Sequence, residues 1–99
     1  MWPIALGWID FEISVAPDWD RAQVCRLARR LGYRVVWPDE RAVLAVADQV
    51  RAVGADAVIM PEPGHLGPLE LNRVMDLADV ETVSPRLSFA RWHVAGASR

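Results

Sequence analysis

The stretch IALGWIDFEISV, residues 4–15, decides the fold class of this chain. Apolar side chains occupy both parities of the stretch, with Leu6 and Trp8 on one and Ile9 and Phe11 on the other. A strand with this pattern is covered on both faces, as in a parallel sheet flanked by helices. We therefore predict a buried strand over residues 4–15.

A helix is predicted directly after this strand. Pro17 and Asp18 mark its start, because aspartate is a favourable N-cap and acids suit the first turn of a helix. Gly32 marks its end, as glycines do just beyond a helix. Between them, apolar residues at i, i+3, i+4 and i+7 predict one buried stripe, formed by Val24, Leu27, Ala28 and Leu31.

The rest of the chain alternates strand and helix patterns. Runs of β-branched, aromatic or wholly apolar residues predict strands over residues 33–37, 57–60 and 80–83. A loop rich in proline and glycine is predicted at residues 61–68, followed by a helix at residues 69–78.

Two segments carry weaker patterns. Residues 39–53 fit either a short strand or the start of a helix at first, and a helix by their end, where Gly54 terminates it. Residues 84–99 have weak periodicity and are predicted to form a weakly structured C-terminal tail.

The order of these patterns predicts the architecture. Strands that alternate with helices through short connections indicate an α/β fold with a parallel sheet. We predict a three-layer sandwich with a mainly parallel, four-stranded sheet and helices on both faces. The 99 residues fit one domain, spanning residues 1–99.

Composition limits the class of protein. The net charge of −2 gives no support to binding of a nucleic-acid backbone, and no apolar run reaches the roughly 20 residues that span a bilayer.

The N-terminus lacks the pattern of a signal peptide, and Cys25 is the single cysteine, which favours a reducing compartment. The 11 basic residues are all arginine, a codon bias that indicates a bacterium with a GC-rich genome. We therefore expect a cytoplasmic bacterial protein.

Cofactor and metal motifs are missing from the sequence. The turn after the first predicted strand, residues 14–18, contains no glycine, so it does not form a phosphate-binding loop. Cys25, His65 and His93 lie far apart and do not have the spacing of zinc ligands. We expect neither a cofactor nor a metal ion.

Polar residues near the carboxyl ends of the predicted strands form the candidate site, because ligands bind there in open α/β sheets. Asp10 and Glu12 lie two residues apart, so on one strand they share a face, where paired carboxylates perform acid–base chemistry or hold a cation. The alternative is an exposed strand end, with both acids solvated or paired with arginine. His65 is either a general base or an ordinary surface histidine.

Tryptophan and arginine each allow two interpretations. The five tryptophans belong partly to the core, but Trp2 and Trp92, near the ends of the chain, could form a protein interface. The first helix and its surroundings carry a group of arginines that either faces phosphates or forms a solvated helix face, which we favour; the group consists of Arg21, Arg26, Arg29, Arg30 and Arg34.

The segment DFEIS, residues 10–14, resembles a motif of the serine recombinases, the resolvase/invertase family. Their N-terminal catalytic domain begins with a strand that reads roughly Tyr-x-Arg-x-Ser, and a glutamine follows nine residues later. Ser14 and Gln23 match that serine and glutamine, with the same separation of nine residues. The family's later Asp-Arg-Leu-Gly-Arg loop is similar to residues 64–68, in which Leu66 and Gly67 match. The resemblance covers roughly residues 4–78 and implies a resolvase-like fold.

The departures from that family concern its chemistry. The resemblance implies a serine nucleophile assisted by arginines, but Glu12 replaces the strand arginine, and His65 and Pro68 replace the loop arginines. Because electrostatic stabilisation dominates phosphoryl transfer, we expect recombination to be lost. The leading hypothesis is a non-catalytic domain that acts through protein–protein contact, with a partner protein or as a homodimer, without specific DNA binding. The alternative is a small enzyme or ligand-binding domain that uses a cleft formed by Ser14, Glu12, Asp10 and His65.

Overall fold

The computed structural model describes residues 2–38 and 44–92. Each helix follows a strand in the order that the sequence predicts. The elements are β1 (Ile4–Gly7), α1 (Pro17–Leu31), β2 (Arg34–Val36), α2 (Val46–Val53), β3 (Ala57–Met60), a 3-10 turn (Pro63–His65), α3 (Pro68–Met75), β4 (Asp79–Thr82) and β5 (Leu87–Phe89).

The described strands form one mixed sheet with the order β2-β1-β3-β4-β5. The first four are parallel, and β5 pairs antiparallel with β4. The predicted α/β fold is confirmed, but the predicted number of four strands is wrong, because five are present in the described residues. The extra strand lies in the predicted tail, where the Thr82 hydroxyl accepts a 3.0 Å hydrogen bond from the Leu87 N–H and helps to turn the chain back. The remainder of that tail, residues 93–99, lies outside the described residues.

Helices cover both faces of the sheet. On one face α1 packs on β1 and β3, and the buried residues are Ala5, Val24, Leu27, Ala28, Ala57 and Ile59. On the other face α2 and α3 pack on β1, β3 and β4, and the larger buried residues are Leu6, Val46, Val50, Val58, Met60, Val74 and Val80. β3 is buried along its whole length and therefore lies at the centre of the core.

The boundaries of α1 differ slightly from the prediction. The helix begins at Pro17, with Ala16 as a residue that caps it without a side-chain hydrogen bond, so Asp18 lies in the first turn and is not the N-cap. Gly32 ends the helix with a φ of 85°, a backbone conformation that glycine adopts without strain. Leu31 is 38% exposed and does not complete the predicted buried stripe.

β1 ends at Gly7, eight residues before the predicted end at residue 15. A Cβ atom on Gly7 would lie only 2.6 Å from Cζ3 of Trp37, so the indole ring packs directly on the glycine. The Arg21 guanidinium lies over that ring, 4.7 Å from its centroid. Beyond Ile9 the chain forms a turn, in which the Asp10 carbonyl accepts hydrogen bonds from the N–H groups of Ile13 and Ser14.

The other elements shift by a few residues at most. The predicted helix at residues 69–78 occupies Pro68–Met75, and the last predicted strand, at residues 80–83, occupies Asp79–Thr82. The predicted loop at residues 61–68 contains the 3-10 turn. The ambiguous segment ends in a helix, as predicted, but its residues 39–43 lie outside the described residues.

Candidate functional site

The loops that follow β1 and β3 lie side by side, because these strands are parallel neighbours in the sheet. Two hydrogen bonds tie the loops together. The Asp10 N–H donates to Nδ1 of His65 over 2.8 Å, and Nε1 of Trp8 donates to the His65 carbonyl over 3.2 Å. The structure therefore brings His65 and Asp10 together, as the predicted cleft requires.

His65 is part of the packed interior, with 5% of its surface exposed. Because Nδ1 accepts a hydrogen bond from a backbone N–H, the ring proton of the neutral imidazole must reside on Nε2. The nitrogen that could accept a proton is thus already engaged. The expectation of an ordinary surface histidine is wrong, and the arrangement is that of a histidine that joins two loops.

Ser14 is engaged by a residue that sequence reasoning did not select. Its hydroxyl donates a 2.6 Å hydrogen bond to Oδ2 of Asp20, in the first turn of α1. This bond fixes the end of the turn on the helix that follows. The only sequence signal for it is that Asp20 lies six residues after Ser14, on the other side of a helix-starting proline.

Residues 10–12 do not form the strand on which the paired-carboxylate interpretation depended. Asp10 and Glu12 lie in the turn after β1 and not on a strand, so they do not share a strand face. Oδ1 of Asp10 accepts a 3.0 Å hydrogen bond from the Glu12 N–H, which makes Asp10 a turn-forming residue. The Glu12 residue is exposed.

The arrangement separates the serine from the histidine. Among the described residues, the Ser14 hydroxyl bonds to Asp20 and the His65 ring bonds to the Asp10 backbone, so the two groups do not form a nucleophile–base pair. The residues that the structure describes contain no group of three or more histidine, cysteine, aspartate or glutamate side chains suited to a metal ion.

Large apolar side chains project from the turn that carries the candidate residues. Phe11 is 52% exposed, Ile13 48%, Val15 99% and Trp19 65%. We call these four residues the apolar turn surface. They lie within nine consecutive positions of the chain: Phe11, Ile13 and Val15 in the region where the sequence predicted the end of a buried strand, and Trp19 near the start of α1. Large, contiguous exposed apolar patches are one general mark of a contact site.

The tryptophans divide into two groups. Trp8 and Trp37 are partly buried and pack against the two cores. Trp2, Trp19 and Trp92 are exposed, although Nε1 of Trp92 donates a 3.0 Å hydrogen bond to Oδ1 of Asn72. Trp19 is the exposed tryptophan that belongs to the apolar turn surface.

A second polar cluster surrounds Tyr33 at the start of β2. Partial burial raises the pKa of its hydroxyl above 10.0, and the negative charges of Asp79, Glu81 and Asp56 raise it further. Arg91 offsets part of this effect and bonds to Asp79, through its backbone N–H over 2.8 Å and its Nε over 3.4 Å. The cluster fastens the chain after β5 to the start of β4 and is structural.

No helix within the described residues is both long and apolar enough to cross a membrane. Comparison of the chain with protein-family models, with curated proteins and with solved structures finds no match.

Proposed function

We propose that this chain is a non-catalytic domain of resolvase-like descent that acts through protein–protein contact, and that its partner is a second copy of itself. The observation that carries the proposal is the apolar turn surface, which occupies the loop where a catalytic serine would have to work. The residues matched to the family, Ser14 and Gln23 among them, are interpreted as remnants of its motif.

The loss of catalysis is supported by the surroundings of Ser14. A phosphodiester attacked by its hydroxyl would have to approach the Asp20 carboxylate, which lies 2.6 Å from that hydroxyl. With two like charges about 4 Å apart and an effective dielectric constant near 20, the repulsion is of order 4 kcal/mol. That energy corresponds to roughly three powers of ten in rate. Asp20 thus places a negative charge beside Ser14, in addition to the replacement of the family's strand arginine by Glu12.

The alternative, an enzyme or ligand-binding cleft around Ser14 and His65, has less support. His65 is buried, and its acceptor nitrogen is occupied by the Asp10 N–H. A carboxylate is in general a weak base toward a serine hydroxyl, because an alcohol holds its proton far more tightly than a carboxylic acid does. The same contacts that order the loops therefore leave the serine without an activating base.

The exposed side of α1 suggests how a second copy binds. Asp18 and Arg29 are eleven residues apart, which is close to three turns, so they lie on one face of the helix. Ala22, also exposed, lies between them on that face, and Cys25 is half-buried beside it. We call these four residues the α1 stripe. Small residues at its centre allow close approach, and opposite charges occupy its ends.

An antiparallel second copy matches this stripe in charge. Asp18 of each copy then lies opposite Arg29 of the other, and two-fold symmetry makes each contact twice. Val15 and Trp19 flank the acidic end, so the apolar turn surface of each copy covers the basic end of its partner's helix. Burying roughly 100 Å² of a tryptophan contributes about 2.5 kcal/mol.

The compartment belongs to the same proposal. We place the domain in the cytoplasm of a bacterium, with the single cysteine and the lysine-free composition as support. Cys25 is a free thiol in the structure.

Sedimentation equilibrium of charge-reversed variants tests the dimer. Asp18→Arg and Arg29→Asp should each weaken association at least tenfold, because each places like charges opposite one another, about 1.4 kcal/mol per tenfold. The double variant should recover most of the affinity. A monomeric wild type, or a double variant as weak as the single variants, would show that this surface does not bind a second copy.

The absence of catalysis has its own assay. The protein is incubated with supercoiled and nicked DNA and then examined by denaturing electrophoresis for a covalent protein–DNA adduct. We expect no adduct. An adduct that disappears in Ser14→Ala would contradict the non-catalytic assignment.

A further inference from the structure

A small cavity opens between α1 and the turn that joins β4 to β5. It has a volume of about 130 Å³, and its lining consists of Gln23, Arg26, Leu27, Arg30, Val83 and Arg86. We propose that this cavity binds a single phosphate group, as the free anion or as a small phosphomonoester. The proposal is independent of the dimer and of the Ser14 region.

Arg26 and Arg30 supply the uncompensated charge of the cavity. They lie one turn apart on α1, where two like charges destabilise a helix slightly. Among the described residues, neither side chain forms an ion pair or a hydrogen bond with another group. Two adjacent guanidinium groups that line one concavity without a counter-ion favour an anionic ligand.

Arg86 is held in position on the opposite wall. Its Nη1 lies 2.9 Å from Oε1 of Glu81 and donates a 2.7 Å hydrogen bond to the Leu87 carbonyl. Glu81 is itself buried on β4, and the Ser88 hydroxyl donates a 3.0 Å hydrogen bond to its Oε2. A buried carboxylate thus fixes the third arginine before any ligand arrives.

The charge balance selects the ligand class. Glu81 offsets the charge of Arg86, which leaves the two positive charges of Arg26 and Arg30. A phosphate group with a free second ionisation carries about −1.5 to −2 at pH 7, whereas a carboxylate or a phosphodiester carries about −1. The phosphate dianion therefore neutralises the cavity, and the DNA backbone does not.

Size and lining agree with a single phosphate group. The cavity of about 130 Å³ is smaller than the roughly 300–1,000 Å³ of pockets that hold organic ligands. The space is large enough for one phosphate group. Gln23 can donate an amide hydrogen bond, and Leu27 and Val83 form apolar walls that strengthen the electrostatic attraction.

Titration with inorganic phosphate, followed by ¹H–¹⁵N chemical shifts of the full chain, tests the site. We expect saturable shifts at backbone amides of the cavity-lining residues, with binding at least tenfold weaker in Arg30→Gln. Arg73→Gln is the matched control, because Arg73 is likewise exposed in the last turn of a helix, α3, but does not line the cavity. It should bind phosphate as the wild type does.

Parallel titrations identify the source of the phosphate. Tighter binding of methyl phosphate than of inorganic phosphate indicates a phosphomonoester ligand, and the reverse order indicates the free anion; either result supports the site. No saturable shift up to about 20 mM phosphate would overturn the proposal. So would the same shifts with sodium chloride at equal ionic strength, equal weakening in Arg73→Gln, or tighter binding of a short DNA duplex at the same amides.

Discussion

Residues 57–60 and residues 10–15 are both rich in apolar side chains, yet one segment forms the centre of the core and the other an exposed turn. β3 reads AVIM without a polar residue, and all four residues are buried. In the turn, apolar residues alternate with Asp10, Glu12 and Ser14. Oδ1 of Asp10 accepts a hydrogen bond from the Glu12 N–H, and the Ser14 hydroxyl donates one to Asp20 on α1. An apolar pattern therefore does not by itself distinguish a core strand from an exposed turn.

A matched pair of isoleucines tests this difference between the core strand and the turn, and we expect it to give the largest change in stability. Ile59, in β3, is fully buried, whereas Ile13, in the turn, is 48% exposed. Ile59→Ala should lower the free energy of unfolding by about 2–5 kcal/mol, because it removes buried methyl groups and leaves a cavity. Ile13→Ala should lower it by under about 1 kcal/mol. Urea denaturation of the monomeric state measures both, and equal losses would show that the turn is packed like the core.

A second pair of substitutions compares the contributions of His65 and Ser14 to stability. His65→Leu leaves the Asp10 N–H without its acceptor in a buried environment, so we expect a loss of about 1–3 kcal/mol in unfolding free energy. Ser14→Ala removes a bond in a half-exposed position and should cost about 1 kcal/mol or less. Urea denaturation again provides the values. A larger loss for Ser14→Ala than for His65→Leu would reverse the roles that the loop contacts assign to them.

At the end of the sheet opposite the turn, around Tyr33, we expect a smaller effect, which is a pH dependence of the unfolding free energy. Since folding raises the pKa of its hydroxyl above 10.0, the folded state retains the phenol proton more tightly than the unfolded state. The corresponding stability is fully present below pH 10.0 and is lost as the pH rises through the folded pKa. Tyr33→Phe should show a smaller decline of unfolding free energy between about pH 9 and 11. An identical decline in both proteins would contradict the contribution of burial and of the nearby carboxylates to the raised pKa of Tyr33.

The sequence predicts the backbone order of this fold better than its boundaries. The periodicity of α1 and the apolar run of β3 are local signals, and both elements form as predicted. β5 escapes prediction because three residues at a sheet edge carry little periodicity, and its position depends on the turn after β4. β1 is overextended because apolar residues continue past Gly7 into an exposed loop.

The sequence predicts which loops lie together better than it predicts which atoms in those loops form hydrogen bonds. Topology alone brings the loops after β1 and β3 together, which explains why His65 meets Asp10. Which atoms pair depends on the turn at residues 10–14, and no strand parity describes a turn. The residues of the Ser14–Asp20 hydrogen bond, and those that line the arginine-containing cavity, become neighbours only when the chain folds.

We propose that the apolar turn surface is a contact site for a second copy, and substitution of Trp19 is the direct test of this proposal. Trp19 and Trp2 are exposed to nearly the same degree, 65% and 64%, but only Trp19 lies on that surface. In sedimentation equilibrium, Trp19→Ala should weaken dimerisation by at least tenfold, about 1.4 kcal/mol, while Trp2→Ala leaves it unchanged. Equal dimerisation of Trp19→Ala and the wild type, or equal weakening by both substitutions, would contradict the account.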